Sequence, residues 1–391
     1  MAGMRIGIVG AGIAGLATAL ACARHGHAVT VFERAPDLGE VGAGLQIGAN
    51  GMKVAAALGL TDALHAVAVV PEAVEMQAAS GTRLMRIAMG QAAVARWGAA
   101  PVNLHRADLI AVLADAARMA GVAVETGAAV AGADATGGVL HVNGVARGFD
   151  LVVGADGVRS ELRAQVVGHT APRYTGHAAW RALVPGAEGD AVTRLTVGPD
   201  RHLVTYPLRD GTLTNVVAVV KRRDWTGEGW AQEDDPDNLR AAFAGWNERA
   251  EAILARVRRT HLWGLFDHAP LPAWSRDRLV LVGDACHPML PFLAQGATQA
   301  LEDAWVLAAT LSRGADLAAY EAARKPRATR VQAAARAQGR LDHAGGPVRP
   351  VLHLGMRAVG ALAPGFAAAR FDWLYGHDAT RGQASTSSKY P

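Results

Sequence analysis

Three glycines open the chain's chemistry: Gly10, Gly12 and Gly15, in Gly10-Ala11-Gly12-Ile13-Ala14-Gly15. The first permits a tight turn, the second lets a pyrophosphate approach the backbone, and the third lets a helix pack on the preceding strand. A helix N-terminus placed there offers free N–H groups and a partial positive charge to phosphate. Gly10, Gly12, Ala14 and Gly15 are therefore the candidates for a dinucleotide cradle. Glu33 ends the next apolar segment, in register to accept hydrogen bonds from a ribose diol, and Arg34 follows it. A carboxylate at that place disfavours a 2′-phosphate, so the nucleotide expected is NAD or FAD rather than NADP. Two more acids end apolar runs: Asp156 in Leu151-Val152-Val153-Gly154-Ala155-Asp156, and Asp284 in Leu279-Val280-Leu281-Val282-Gly283-Asp284. Acids delivered in this way reach the edge of an α/β sheet where ligands bind.

A different kind of chemistry is available in His202-Leu203-Val204-Thr205-Tyr206. Strand side chains alternate, so His202, Val204 and Tyr206 share one face, with His202 and Tyr206 about 13 Å apart along it. A neutral imidazole accepts a proton near pH 7 and a tyrosine hydroxyl binds and orients an oxygen. On the facing strand the matching set is Leu213, Asn215 and Val217, or its alternate. Arg181 could meet a carboxylate. The plain alternatives are an exposed His202, a core Tyr206 and a surface Arg181.

Positioning these groups requires a particular set of elements. Residues 4–9 and 28–32 read as buried parallel strands joined by a helix at about 14–25, one βαβ unit. Residues 51–68 read as helical, 73–96 as short strands broken by Gly81 and Gly90, and 107–120 as a helix. From 174 to 220 the pattern is antiparallel, with a turn at Asp210-Gly211. One helix is expected at 236–257 from its apolar stripe, and another at 296–312. The fold class is α/β: a Rossmann-like dinucleotide domain interleaved with an antiparallel-sheet domain, followed by C-terminal helices. The expected division is 1–72, 102–173 and 275–345 for the first domain and 73–101 with 174–274 for the second. Residues 346–381 form a helical segment, and the polar tail 382–391 is expected to be disordered.

The 391 residues are 51% hydrophobic and 19% charged, enough for a large core. A net charge of +4 with no lysine-rich block disfavours nucleic acid. Two cysteines, Cys22 and Cys286, make no disulfide framework. No leader pattern precedes the first strand, and no uninterrupted apolar run of about 18 residues suggests a spanning helix. These features point to a cytoplasmic protein; separately, a monomer or homodimer is expected, and no metal site.

The three motifs together, over about residues 4 to 340, resemble the FAD-dependent aromatic hydroxylases, the single-component class A flavin monooxygenases. The segment His202-x-x-x-Tyr206-Pro207 is similar to the strand that enzymes acting on salicylate-like phenols, 3-hydroxybenzoate and 6-hydroxynicotinate use to bind and polarise a hydroxyl. The resemblance implies bound FAD, with NADH or NADPH and O2 as co-substrates, and hydroxylation of a small aromatic through a flavin C4a-hydroperoxide. The expected ring is phenolic or a hydroxylated N-heterocycle, and carboxylated. It implies Glu33 at the adenosine ribose and Arg106 on the cofactor. Asp156 and Arg159 would serve the pyrophosphate and NAD(P)H, and Asp284 the ribityl chain. Pro288 and Pro291 would lie against the flavin, with Pro291 also toward the substrate beside Arg181 and Asn215. A helix beginning at Gly296-Ala297 would aim its N-terminus at the negative charge of reduced flavin. The family's usual Gly-Gln-Gly-x-Asn reads Ala294-Gln295-Gly296-Ala297-Thr298 here. Glu302-Asp303 continue the family pattern, and their plain reading is acids on a helix surface. An epoxidase or reductase on a non-phenolic substrate, or a non-catalytic flavin redox sensor, are the alternatives.

Overall fold

The computed structural model describes residues 3–39, 43–186, 189–225 and 231–381; the tail 382–391 lies outside them. The first layer is a six-stranded sheet in the order Ser275–Arg276, Leu279–Leu281, Leu151–Gly154, Arg5–Val9, Ala28–Phe32, Ala123–Glu125. All its pairs are parallel except the edge pair at Ser275–Arg276. Ile6, Ile8, Val31, Val152, Val153 and Val280 are fully buried, as strands covered on both faces require. Helix Ile13–Arg24 packs against helices Arg106–Met119 and Gly296–Ser312. The C-terminal ends of Arg5–Val9, Leu151–Gly154 and Leu279–Leu281 therefore lie side by side, and they carry Gly10, Asp156 and Asp284 to one edge.

The second sheet has eight strands, running Ala231–Asp234, Thr260–Asp267, Arg173–Pro185, Leu213–Lys221, Arg201–Leu208, Val192–Gly198, Ala73–Ala78, Arg83–Ala88. Its pairs are antiparallel apart from one: Val192–Gly198 runs parallel to Ala73–Ala78, which arrives from the first domain rather than through a hairpin. Side chains alternate across it. Trp180, Leu203, Val216 and Ala218 point back into a core with Phe243, Trp246, Ile253 and Val257. The intervening residues, Arg181, His202, Val204, Tyr206, Val217 and Val219, line the opposite face.

Three expected elements are corrected. The stretch 236–257 is two helices, Pro236–Ala242 and Glu248–Ala255, because Gly245 turns at φ +78 and the Asn247 side chain caps the second helix at Ala250 N–H. The stretch 51–68 likewise divides into Ala49–Ala57 and Thr61–His65 around Gly59, at φ +62. Within 73–96 the last part is helix Gln91–Trp97, not strand. The C-terminal part is helical: Leu317–Asp342, Val348–Leu362, Pro364–Ala369 and Asp372–Tyr375. Helix Val348–Leu362 lies against strand Arg83–Ala88 and leaves Val348, Val351, Leu354 and Leu362 exposed. Among the described residues, no helix is long and apolar enough to cross a membrane.

Candidate active site

One cavity of about 540 Å³ runs from the glycine turn to the second sheet, within the usual range for small-molecule sites. At its first end each glycine has a distinct reason. Gly10 sits at φ +103, and a Cβ there would stand 2.5 Å from the Ala155 carbonyl oxygen. A Cβ on Gly15 would meet the Gly10 carbonyl oxygen at 1.9 Å, so strand and helix need that contact bare. A Cβ on Gly12 would touch no protein atom within 4 Å. Gly12 and Ala14 line the cavity, so the space beside Gly12 is kept for a ligand rather than for packing. No side chain caps the helix that begins at Ile13. Glu33 accepts hydrogen bonds from Ala11 N–H at 2.9 Å and Ala35 N–H at 3.0 Å. This fixes its carboxylate beside the glycine turn, while Arg34 is exposed. Glu33→Ala is expected to purify with less than half the bound flavin of the unsubstituted chain. Absorbance at 450 nm per protein is the check, and a fully yellow variant would remove the ribose role.

The second and third strand-end acids complete this end. Asp156 accepts from Glu161 and Leu162 N–H through Oδ2, while its buried Oδ1 accepts no hydrogen bond among the described residues. Arg159 is exposed on the same turn. Asp284 lines the cavity and exposes its side chain to that space. Desolvation by the protein packed around its base raises its carboxyl above the ordinary value, against the opposing charges of His287, Arg106 and Arg163. Arg106, the first residue of its helix, lines the same space. The loop Pro288–Gln295 follows, with Pro291 opening a short 3₁₀ turn. Helix Gly296–Ser312 starts where expected, uncapped, with Gly296 and Ala297 on the cavity. Ala294 stands at φ +50, a left-handed conformation that a glycine there would adopt without strain. Thr298 Oγ1 accepts the Gly48 N–H at 3.0 Å and so holds a neighbouring segment. A pyrophosphate, ribityl chain and flavin fit this donor set: an uncapped helix start at each end, an open glycine, and acids and an arginine between.

Glu302 and Asp303 are not surface acids; both are fully buried. Arg324 reaches across from helix Leu317–Asp342 to bond Glu302 at 2.5 Å and Asp303 at 2.8 Å. Asp303 also accepts the Gly283 N–H at 2.8 Å and bonds His287 Nε2 at 2.5 Å. The chelating side chains Cys286, His287 and Asp303 come within 4.8 Å of one another. Asp303 is already bonded to Gly283 N–H, His287 and Arg324, and the Cys286 thiol donates to Gly283 C=O while burial raises its pKa well above normal, which leaves it a poor metal ligand.

At the other end the sheet supplies three polar groups around an aliphatic centre. In register across the sheet, Val197, His202, Val219 and Ala179 form one row. Leu195, Val204, Val217 and Arg181 form the next, and Tyr206, Asn215 and Leu183 the third. His202 and Tyr206 are 3% and 4% exposed, and both line the cavity. They are brought to one wall, two rows apart, with neither the exposed His202 nor the packed-away Tyr206 of the plain reading. Burial raises the Tyr206 phenol, and the charge of Arg181 opposes the rise. Arg181 lines the cavity too and donates to Gly44 C=O at 3.2 Å. Asn215 is fully buried, and its Oδ1 accepts Gly44 N–H at 2.7 Å, so it ties the Gly44–Ile47 strand to the sheet.

Sequence reasoning missed the far wall. His202 Nδ1 lies 2.7 Å from His343 Nε2, and His177 lies 4.9 Å from His343 between ring centres. Phe292 stands edge-on to all three rings. With Nδ1 engaged, Nε2 is the nitrogen of His202 left for a cavity ligand. Burial, then the neighbouring His343 and His177, holds His202 well below 6.5; burial holds His343 at about 4. Both are neutral at pH 7. A histidine held neutral in the fold but free to protonate when unfolded gives stability that is present above pH 6.5. That stability declines as pH falls toward the folded value. The urea midpoint is therefore expected to fall between pH 6.5 and 5, with a shallower fall in His343→Gln. An equal slope in the two proteins would contradict the assignment.

The model of the FAD binding domain family matches residues 4–335. The chain is 36% identical to a 3-amino-4-hydroxybenzoate 2-monooxygenase of Streptomyces platensis, with 96% of each covered. It is 36% identical to the salicylate hydroxylase of Pseudomonas putida, over 96% of this chain and 93% of that one. A solved structure of a Klebsiella pneumoniae HpxO variant complexed with FAD superposes with TM-score 0.82 at 26% identity, covering 94% of this chain and 98% of that one.

Proposed function

The chain belongs to the FAD binding domain family and is an FAD-dependent monooxygenase of the aromatic-hydroxylase class, and from that premise we propose that it hydroxylates a small phenolic ring carrying a carboxylate. The observation that carries this reading is the cavity wall on which His202 and Tyr206 flank an aliphatic patch, with Arg181 at its end. Bound FAD, reduced by NADH or NADPH and reacting with O2, supplies the electrophilic oxygen.

The chain's own groups do the rest. Gly12, Ala14 and the helix start at Ile13 cradle the pyrophosphate, Glu33 holds the adenosine ribose, and Arg34 lies alongside. Arg106 pairs with the diphosphate, Asp156 fixes the turn beside it by accepting the Glu161 and Leu162 N–H groups, and Asp284 accepts from the ribityl hydroxyls. Gly296 and Ala297 present N–H groups to the negative edge of the reduced ring, and Pro291 covers it. Arg159 serves the visiting NAD(P)H. At the substrate, Arg181 pairs with the carboxylate while Asn215 and Gly44 hold Arg181's neighbourhood in place. Tyr206 orients the phenolic oxygen, and neutral His202 accepts its proton through Nε2. A ring made more electron-rich in this way attacks an electrophile more readily, and the aliphatic patch keeps water away from the reacting face.

The same reading assigns 1–72, 102–173 and 275–345 to a discontinuous FAD domain, and 73–101 with 174–274 to the substrate domain. It places the enzyme in the cytoplasm as a monomer or homodimer with no nucleic-acid partner. An NAD(P)H-oxidation screen with salicylate, the hydroxybenzoates, an aminohydroxybenzoate and 6-hydroxynicotinate tests it. Oxidation stimulated at least tenfold by one of them, with a hydroxylated product, is expected. Oxidation indifferent to every phenol would sink the reading.

A further inference from the structure

The last turn of helix Leu317–Asp342 contributes two polar side chains to the cavity, Gln338 and Asp342, one turn apart. Asp342 is 3% exposed, and Gln338 Nε2 donates to its Oδ1 at 2.7 Å. The Gln338 carbonyl oxygen in turn faces Arg370 Nη2 at 3.4 Å, which sets the amide so that its N–H₂ points at the acid. No other hydrogen bond reaches the Asp342 carboxyl among the described residues. The cavity holds one other acid, Asp284, which lies at the cofactor end. The next residue, His343, bonds His202, so the carboxyl belongs to the substrate end.

We propose that Asp342, oriented by Gln338, is an acceptor for an N–H donor on the substrate ring, so that the preferred substrate is an amino-substituted phenolic acid. The proposal rests on the reading of this cavity as the ring's site. A carboxyl walled off from water needs a hydrogen-bond donor or a positive charge to stay ionised. Burial raises Asp342 to about 7, with Gln338 and Arg370 only partly opposing the rise. An aromatic amine supplies the missing donor without bringing a charge into the site. A second carboxylate at the same place would be repelled, and a hydrogen or methyl group there would leave the acid unsatisfied. The cavity thus presents three distinct demands: a cation at Arg181 for a carboxylate, an acceptor and a hydroxyl at His202 and Tyr206 for a phenol, and an acceptor at Asp342 for an amine.

The test compares pairs of compounds that differ only by the amine, 4-hydroxybenzoate with 3-amino-4-hydroxybenzoate and salicylate with its ring-amino derivatives. Affinity is read from perturbation of the flavin absorbance, and kcat/KM from product formation. A hydrogen bond to an ionised group corresponds to about a tenfold preference or more. That preference is expected for the amino member of at least one pair, and Asp342→Asn should reduce it to within twofold. Asp342→Glu, which keeps the acceptor, should retain part of it. Flavin content and melting temperature show whether each variant is folded. If the unsubstituted enzyme binds and turns over both members of every pair equally, the proposal falls whatever the variants do. If Asp342→Asn is folded and keeps the preference, it falls as well. Hydroxylation without amine preference leaves the broader reading standing, whereas indifference to all phenols removes both.

Discussion

Replacing His202 by Asn is expected to lower product formation about 100-fold or more, the scale of a positioned proton acceptor, while the protein stays yellow. His202 sits on the sheet wall, and none of the groups assigned to FAD touches it in the hydrogen-bond network. NAD(P)H consumption should fall less than product formation, so product per NAD(P)H oxidised drops. Tyr206→Phe should have the same direction and a smaller effect, since it removes one hydroxyl and leaves the base. The pH profile separates chemistry from packing. On the proposed role the ring would lose its proton to an imidazole that burial keeps neutral throughout the neutral range. In His202→Asn the ring must ionise unaided, so the rate should climb as pH approaches the pKa of a free phenol, about 10. A folded His202→Asn variant with unchanged product per NAD(P)H, or with an unchanged pH profile, would move His202 into the structural framework and leave the phenol-activating role without a base.

How much of this was legible in the sequence depended on range. Gly10, Gly12 and Gly15 are legible from the motif's own spacing, and the Gly15–Gly10 contact lies inside it, although the Ala155 carbonyl that closes on Gly10 does not. The shared face of His202 and Tyr206 follows from strand period alone. The start of helix Gly296–Ser312 was legible because the loop before it carries prolines and a helical pattern follows. The break at Gly245 and Asn247 carried its own signal, a glycine followed by a capping residue, but the apolar stripe running through 236–257 suggested continuity. The far wall had no such signal. His343 lies 141 residues from His202, and Asp342 ends a long helix rich in Ala and Arg, whose sequence says little about which side is covered. Glu302 and Asp303 read as surface acids because what buries them, Arg324, is two helices' packing away rather than a neighbour at helical spacing. Local rules place residues on a face; which face meets which is decided by tertiary packing.

Arg324→Met is expected to destabilise the protein by about 3–5 kcal/mol, the cost of breaking a buried ion pair from one side, and to lose flavin with it. The Arg324 side chain is 2% exposed and holds two carboxylates that are fully buried, Glu302 and Asp303. It also bonds the Gln299 carbonyl and side chain at 3.2 and 2.8 Å. Burial alone would raise both acids; Arg324 and Arg327 overcome it and hold Glu302 at about 2, and His287 and Arg324 keep Asp303 low. Without Arg324, Glu302 still has Arg327 at 2.6 Å, whereas Asp303 keeps only His287 and the Gly283 N–H. Asp303 is therefore the acid left most exposed to the desolvation penalty. Through Gly283 it anchors the turn that presents Asp284, and through its own helix the N-terminus at Gly296, so both flavin-facing elements loosen together. Carboxylates depressed by a partner give stability that is present above their ordinary pKa and lost as pH falls through the folded value. In Arg324→Met the stranded Asp303 is raised rather than depressed, so lowering the pH protonates it and should narrow the stability gap to the unsubstituted protein. Adding Glu302→Gln and Asp303→Asn should recover part of the stability, because the uncompensated charges are then gone. Urea unfolding with flavin content read on the same samples decides it. A folded, yellow Arg324→Met variant with an unchanged midpoint would show that the network is dispensable and that the flavin site is held by packing alone.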